Sequence, residues 1–146
     1  MSTRRVLLVE DDENDALLTT RALQRAGIEL TVDLARDGVE ALEYLLPVAD
    51  ASSAARPLPA VVLLDLKLPR VGGLEVLERL RADPRTKLLP IVILTSSTHP
   101  RDLASGYGLG CNSYVRKPVD AARFDSIIRQ LAMYWVDINQ RAEALR

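Results

Sequence analysis

The stretch Pro59-Ala-Val-Val-Leu-Leu-Asp65-Leu-Lys-Leu-Pro69 decides the fold. Residues 60–64 carry no polar side chain, include two β-branched valines, and lie between prolines. Such a run reads as a strand buried on both faces, as at the centre of a parallel sheet. It delivers one carboxylate, Asp65, to the carboxyl end of that strand, where open α/β sheets place their ligand crevice. An ionised carboxylate at the edge of a core is costly unless something compensates it. What gathers around Asp65 is therefore the question for the rest of the chain.

Upstream, Arg5-Val-Leu-Leu-Val-Glu10 is a second apolar strand ending in a carboxylate, followed by Asp11-Asp12-Glu13-Asn14-Asp15. These acids suit the start of a helix, as caps and as negative charge at its N-terminus. Leu17, Leu18, Ala22, Leu23 and Ala26 recur at helical spacing before Gly27. Residues 30–35 alternate apolar and polar, as expected of a strand nearer the sheet edge, and 38–46 form a short helix with Val39, Leu42, Leu45 and Leu46 inward. Residues 47–57 are rich in alanine, serine and proline and read as an extended surface loop.

Downstream, Pro69 to Gly73 reads as a turn and Leu74 to Arg81 as a helix closed by Asp83-Pro84. Pro90-Ile-Val-Ile-Leu-Thr95 is a further apolar strand, ending in a hydroxyl. A weak helix holds Gly106 and Gly108, and a short last strand over 112–116 leads into Lys117-Pro118. From Asp120 the helical pattern runs nearly to the C-terminus. Five strands alternating with five helices predict an α/β three-layer sandwich with a parallel sheet.

The totals bound the function classes. With 146 residues the chain reads as a single domain, 1–146, large enough for a core without disulfides. A net charge of −1 offers no electrostatic case for nucleic acid or anionic membrane. No run approaches the roughly 20 apolar residues of a membrane span, and the lone Cys111 suits a reducing compartment. The expectation is a cytoplasmic protein.

Right-handed crossovers bring the carboxyl ends of all parallel strands to one edge. Glu10-Asp11, Asp65, Thr95 and Lys117 can therefore converge on one crevice. The acidic pair could also be Asp11-Asp12, but Glu10-Asp11 keeps the strand the right length. Clustered carboxylates repel unless a cation or protons relieve them. A hard divalent ion with oxygen ligands, Mg²⁺ most naturally, would do so. A hydroxyl and an ammonium beside it would suit the oxygens of a phosphoryl group.

Val9-Glu10-Asp11, Leu64-Asp65 with Pro69 and Gly73 after it, Leu94-Thr95-Ser96, and Tyr114-Val-Arg-Lys117-Pro118 resemble the receiver domains of two-component response regulators. The resemblance runs from residue 5 to about 131. It implies a flavodoxin-like (βα)5 fold with strand order 2-1-3-4-5, and Asp65 as an aspartate phosphorylated by a sensor histidine kinase. Glu10 and Asp11 match the acidic pair holding Mg²⁺, with Asp11 the direct ligand. Lys67 matches the position that lends its backbone carbonyl to the metal. Thr95 matches the hydroxyl that bonds the phosphoryl group, and Lys117 the lysine that pairs with it. Tyr114 matches the switch aromatic that changes rotamer with the threonine. Lys117-Pro118 matches a bond the family holds cis, an isomer that proline makes accessible.

The last helix is longer than one such domain needs. Phe124, Ile128, Leu131, Trp135, Ile138, Ala142 and Leu145 are spaced alternately by four and three, an a/d heptad. Residues 132–146 then form a helical extension overrunning the domain, with Trp135 and Ile138 on an apolar stripe that a homodimer would cover. The alternative is a tail folded back on its own domain. The 47–57 loop, the run Tyr107-Gly-Leu-Gly-Cys-Asn-Ser-Tyr114 and Tyr134-Trp135 also resemble stand-alone regulators paired with phytochrome-type kinases.

The expectation is a phosphorylation switch that catalyses only its own phosphoryl transfer and dephosphorylation and signals by protein contact. An aspartate-nucleophile phosphohydrolase is the rival among enzymes. That class needs a second acid two residues after the nucleophile, where this chain has Lys67. A phosphorylation-independent scaffold is the rival among binding modules. A flavodoxin is disfavoured because acids follow the first strand, where they would repel a flavin phosphate.

Overall fold

The computed structural model describes residues 4–46 and 57–142. Five strands, β1 (Arg5–Val9), β2 (Thr31–Ala35), β3 (Val61–Leu64), β4 (Ile91–Thr95) and β5 (Ser113–Arg116), form one sheet in the order β2-β1-β3-β4-β5. All pairs are parallel, with Val9 opposite Ala35 and Leu64, and Leu64 opposite Ile93. The helices are α1 (Glu13–Gln24), α2 (Gly38–Leu45), α3 (Gly73–Ala82), α4 (Pro100–Gly108) and α5 (Ala121–Ala132). The expected order of elements and of strands is met throughout.

The central strands are apolar on both sides because both sides are covered. Successive side chains on a strand alternate between faces. Leu7, Val9, Val62, Leu64, Ile91 and Ile93 pack with Ala41 and Leu45 of α2 and Val76, Leu77 and Leu80 of α3. Val6, Leu8, Val61, Leu63, Val92 and Leu94 pack with Ala22 and Leu23 of α1 and Phe124 and Ile128 of α5. Leu34 of the edge strand β2 is exposed although the alternation sets it on the apolar face with Val32. Leu17, expected inward on α1, is 47% exposed, while Thr19 is buried with its hydroxyl donating to the Asp15 carbonyl at 2.7 Å.

Capping sets the helix starts. Asp12, Asp37 and Asp120 each accept a backbone N–H from the first turn of α1, α2 and α5. His99 does the same for α4 through Nδ1, which accepts the Arg101 N–H at 3.0 Å. At the opposite end from the Asp65 rim, Arg81 ties the α3–β4 and α4–β5 connections together. Its Nε donates to the Gly110 carbonyl, Nη1 to the Thr86 and Leu89 carbonyls, and Nη2 to Asn112 Oδ1, at 2.8–3.1 Å.

The C-terminal helix departs from the expected uninterrupted extension. After Ala132 the chain makes a π-helical turn over Met133–Ile138 and leaves the helix at Asn139, whose φ and ψ are −63° and 135°. A π turn carries an extra residue per turn, which rotates the heptad stripe off one line. Trp135 and Val136 then pack back on the α1–α5 core rather than facing outward together with Ile138, which is 57% exposed. Arg4 pairs with Asp137 at 3.1 Å across the end of this turn. Leu145 and most of the expected 47–57 loop lie outside the described residues. Among the described residues no helix is long and apolar enough to cross a membrane.

Candidate functional site

The sheet register brings the strand ends to one rim. Asp65 follows β3 directly and donates its N–H to the Val9 carbonyl at 3.1 Å, while Glu10 follows β1 and donates to Ala35 at 2.9 Å. The Lys117 N–H, just past β5, meets the Thr95 carbonyl at 2.8 Å. Glu10, Asp65, Thr95 and Lys117 are all buried, with exposures of 2%, 8%, 0% and 9%. Asp11 faces solvent at the mouth.

Gly73 shows how closely α3 approaches this rim. A Cβ there would lie 2.2 Å from the Asp65 carbonyl oxygen, so only glycine allows the helix start to abut the strand end. The Gly73 N–H donates to the Leu66 carbonyl at 2.9 Å, closing the turn.

Lys117 is the hub. Its Nζ donates to Glu10 Oε1 at 2.6 Å, Asp15 Oδ2 at 2.9 Å and Asp65 Oδ2 at 3.1 Å. The other Asp65 oxygen, Oδ1, accepts the Leu66 N–H at 2.7 Å and the Lys67 N–H at 3.4 Å. Burial, reinforced by the Asp65 charge, pushes Glu10 up to about 7 against the opposing pull of Lys117. Burial lowers the Lys117 ammonium, but the bonds it donates to Glu10 and Asp15 and the Asp65 charge outweigh that and hold it above its ordinary value. One ammonium thus serves a surplus of negative charge.

That surplus suits a second cation. Glu10, Asp11 and Asp65 each bring a carboxylate oxygen to within 4.8 Å of the others. An all-oxygen donor set, partly buried and open at Asp11, fits a hard divalent ion that keeps several waters. The donor chemistry therefore agrees with the expected Mg²⁺.

Thr95 lies at the same rim, its Oγ1 accepting the Ser97 N–H at 3.3 Å. Tyr114 lies on β5 opposite Ile93, and its hydroxyl donates to the Ser97 carbonyl at 3.1 Å. Burial pushes the Tyr114 phenol up, and the bond to Ser97 only partly offsets this. Ser97 in turn donates its hydroxyl to Asp102 of α4 at 2.5 Å. Lys117-Pro118 departs from expectation: no cis peptide bond occurs among the described residues, so this bond is trans. The two X–Pro isomers differ by only about 0.5–1 kcal/mol, so the residue pair alone does not decide between them. Trp135 and Ile138 lie away from the rim, on the C-terminal turn.

Sequence reasoning missed Asp15, reading it only as a charge at the helix start. No helical step from the acidic pair marks it, because Asp11 precedes the Asp12 cap and α1 begins at Glu13. His99 enters no part of the rim; it caps α4.

The description "response regulator receiver domain" matches residues 6–129. A probable methanogenesis regulatory protein, FilR2 of Methanothrix harundinacea, is 38% identical over 135 residues, spanning 92% of this chain and 85% of FilR2. The crystal structure of a phosphorylated cyanobacterial phytochrome response regulator, RcpA, superposes with a TM-score of 0.88 at 31% identity, covering 97% of this chain and 100% of RcpA. The Mn²⁺-bound response regulator Rcp1 gives 0.85 at 29%, covering 95% and 99%; Rcp1 comes from Synechocystis. Sheet order, buried lysine and acidic rim agree with this match over most of the chain, and the protein belongs to the response regulator receiver domain family.

Proposed function

We propose that the chain is a phosphorylation switch that takes a phosphoryl group from a phosphohistidine of a sensor kinase onto Asp65. The observation that carries this is the Lys117 ammonium, set by Glu10 at 2.6 Å and facing the Asp65 carboxylate at 3.1 Å. Phosphoryl transfer runs through a loose transition state, so positioning and charge neutralisation supply most of the catalysis. An Asp65 carboxylate oxygen attacks phosphorus as the bond from phosphorus to the imidazole nitrogen breaks. The electron pair stays on that nitrogen. Lys117 meets the charge on the transferred phosphoryl oxygens, and the Thr95 hydroxyl donates to another of them.

Glu10, Asp11, Asp65 and the Lys67 carbonyl would hold the metal, with Asp11 its direct ligand. When bound, Mg²⁺ neutralises charge on the transferring phosphoryl group. Later, water attacks the acyl phosphate at phosphorus, releasing inorganic phosphate and restoring the Asp65 carboxylate. Tyr114 and Thr95 report the state of the site to the α4–β5 face, where a downstream protein reads it.

The kinase is of the phytochrome type in this reading, on the likeness to RcpA. The chain works in the cytoplasm without nucleic acid or membrane. It pairs as a homodimer through exposed Tyr134 and Ile138 of the C-terminal turn, a smaller contact than the full heptad would make.

Labelling with radioactive phosphoramidate tests the core of this reading. Wild type should label only with Mg²⁺ present, and Asp65→Asn should not label. Equal labelling of the two proteins, or labelling undiminished by a chelator, would overturn it.

A further inference from the structure

An ammonium has three N–H donors and no acceptor. On Lys117 each faces a carboxylate: Glu10, Asp15 and Asp65. The side chain is 8% exposed, so water has little room to replace a partner. Two of the three partners are committed elsewhere. Asp65 is the nucleophile, and Glu10 shares the oxygen cluster that suits a cation. Asp15 stands outside that cluster, and its one cation among the described residues is Lys117.

The backbone around Asp15 is fixed on both sides. Its N–H donates to Asp12 Oδ1 at 2.8 Å, and its carbonyl accepts the hydroxyl of fully buried Thr19 at 2.7 Å. The carboxylate is 34% exposed, at the lip of the crevice. It thus holds Lys117 from the solvent side, where the other two partners hold it from within.

We propose that Asp15 is a positioning residue for phosphoryl transfer, acting through Lys117. This rests on the reading of Asp65 as phosphoacceptor. As the Asp65–phosphorus bond forms and the donor's phosphorus–nitrogen bond breaks, negative charge moves outward onto the phosphoryl oxygens. The Lys117 donor that faced Asp65 follows that charge. The donor on Asp15 stays where it is and keeps the ammonium at the lip, over the incoming group. Without Asp15, Lys117 settles inward between Glu10 and Asp65, pairing with the nucleophile instead of the group it attacks.

A double-mutant cycle tests this, because a residue that acts through another loses its effect when that other is gone. Phosphorylation rates from phosphoramidate with Mg²⁺ are measured for wild type, Asp15→Ala, Lys117→Met and the double variant. Asp15→Asn serves as the conservative replacement that keeps an acceptor oxygen.

Asp15→Ala should slow labelling about tenfold, as misplacement of a catalytic group by a fraction of an ångström does. Asp15→Asn should fall between it and wild type. In the Lys117→Met background the loss of Asp15 should change the rate by less than about twofold. In selectively ¹⁵N-labelled protein, the Lys117 ammonium signal should be visible in wild type and exchange-broadened in Asp15→Ala. That readout serves even where the Lys117→Met rates are too slow to compare. A wild-type rate in Asp15→Ala, an equal slowdown in both backgrounds, or an unchanged ammonium signal overturns the inference. Failure of wild type to label at Asp65 would instead remove the phosphoacceptor reading on which it stands.

Discussion

Arg70 grips Asp37 with two nitrogens, Nε to Oδ2 at 3.0 Å and Nη2 to Oδ1 at 3.2 Å. The grip joins the β3–α3 loop to the start of α2, and Arg70 adopts a φ of +66° to make it. Where the two segments meet, a Cβ on Gly38 would lie 2.0 Å from the Val71 carbonyl oxygen. The Glu40 backbone N–H, and then the Arg70 guanidinium, hold the Asp37 carboxyl below the usual carboxylate range. A carboxyl lowered in the folded state contributes stability above its unfolded value and loses it as pH falls through the folded one. Asp37→Asn keeps a helix cap but not the charge. Its melting temperature should lie below that of wild type near pH 7, and the gap should narrow as pH falls below about 4. A gap that persists into acid would place the effect in packing instead.

Arg81→Lys should be costly although it preserves charge. An ammonium cannot reproduce the planar fork that serves the Gly110, Thr86 and Leu89 carbonyls and Asn112 together. Leaving buried acceptors unmet costs about 1–3 kcal/mol. Urea unfolding should show a loss of about 2 kcal/mol, with phosphorylation of the folded variant unchanged.

Metal should stabilise, and Asp11 should divide that effect in two. At about a hundredfold its dissociation constant, Mg²⁺ should add about 2.7 kcal/mol to unfolding stability. Asp11→Asn removes one of three mutually repelling carboxylates. The variant should therefore melt higher than wild type in chelator and lower than wild type in Mg²⁺. Thermal melts under both conditions check the crossover. Parallel responses of the two proteins would exclude Asp11 as a ligand.

The C-terminal turn separates stability from association. Trp135 packs partly against the α1–α5 core, so Trp135→Ala should cost about 2 kcal/mol, less than a fully buried aromatic does. Ile138 is largely solvent-facing, and Ile138→Asp should change stability by less than about 0.5 kcal/mol. On the dimer reading, that same variant should sediment as a monomer where wild type does not. Unchanged sedimentation would leave Ile138 without a role in pairing.

Strand identity was legible wherever burial on both faces forbids polar side chains, as in Val61–Leu64 and Ile91–Leu94. The rim was legible for the same reason. A carboxylate, hydroxyl or ammonium closing such a strand stands out against it, and parallel topology leaves one edge for all of them. The π turn after Ala132 was not legible. Residues 133–138 keep good helical spacing, and the extra residue is absorbed by the backbone without any sequence mark. Asp15 was read as one acid among five because direction on a helix start depends on where α1 docks. The contacts of Arg70 with Asp37 and of Arg81 with Gly110 and Asn112 join segments distant in the chain, so no local pattern announces them.

The abutment of Gly73 on the Asp65 carbonyl has a mechanical consequence. With a helix terminus wedged against its own peptide, the end of β3 behaves as an anvil that has no slack to yield on that flank. The β4–α4 connection differs: Thr95, Ser97, Asp102 and Tyr114 are linked there by single hydrogen bonds, most of them through side chains. Such links can be exchanged by bond rotation alone, so any blow struck at the anvil is transmitted sideways, toward α4.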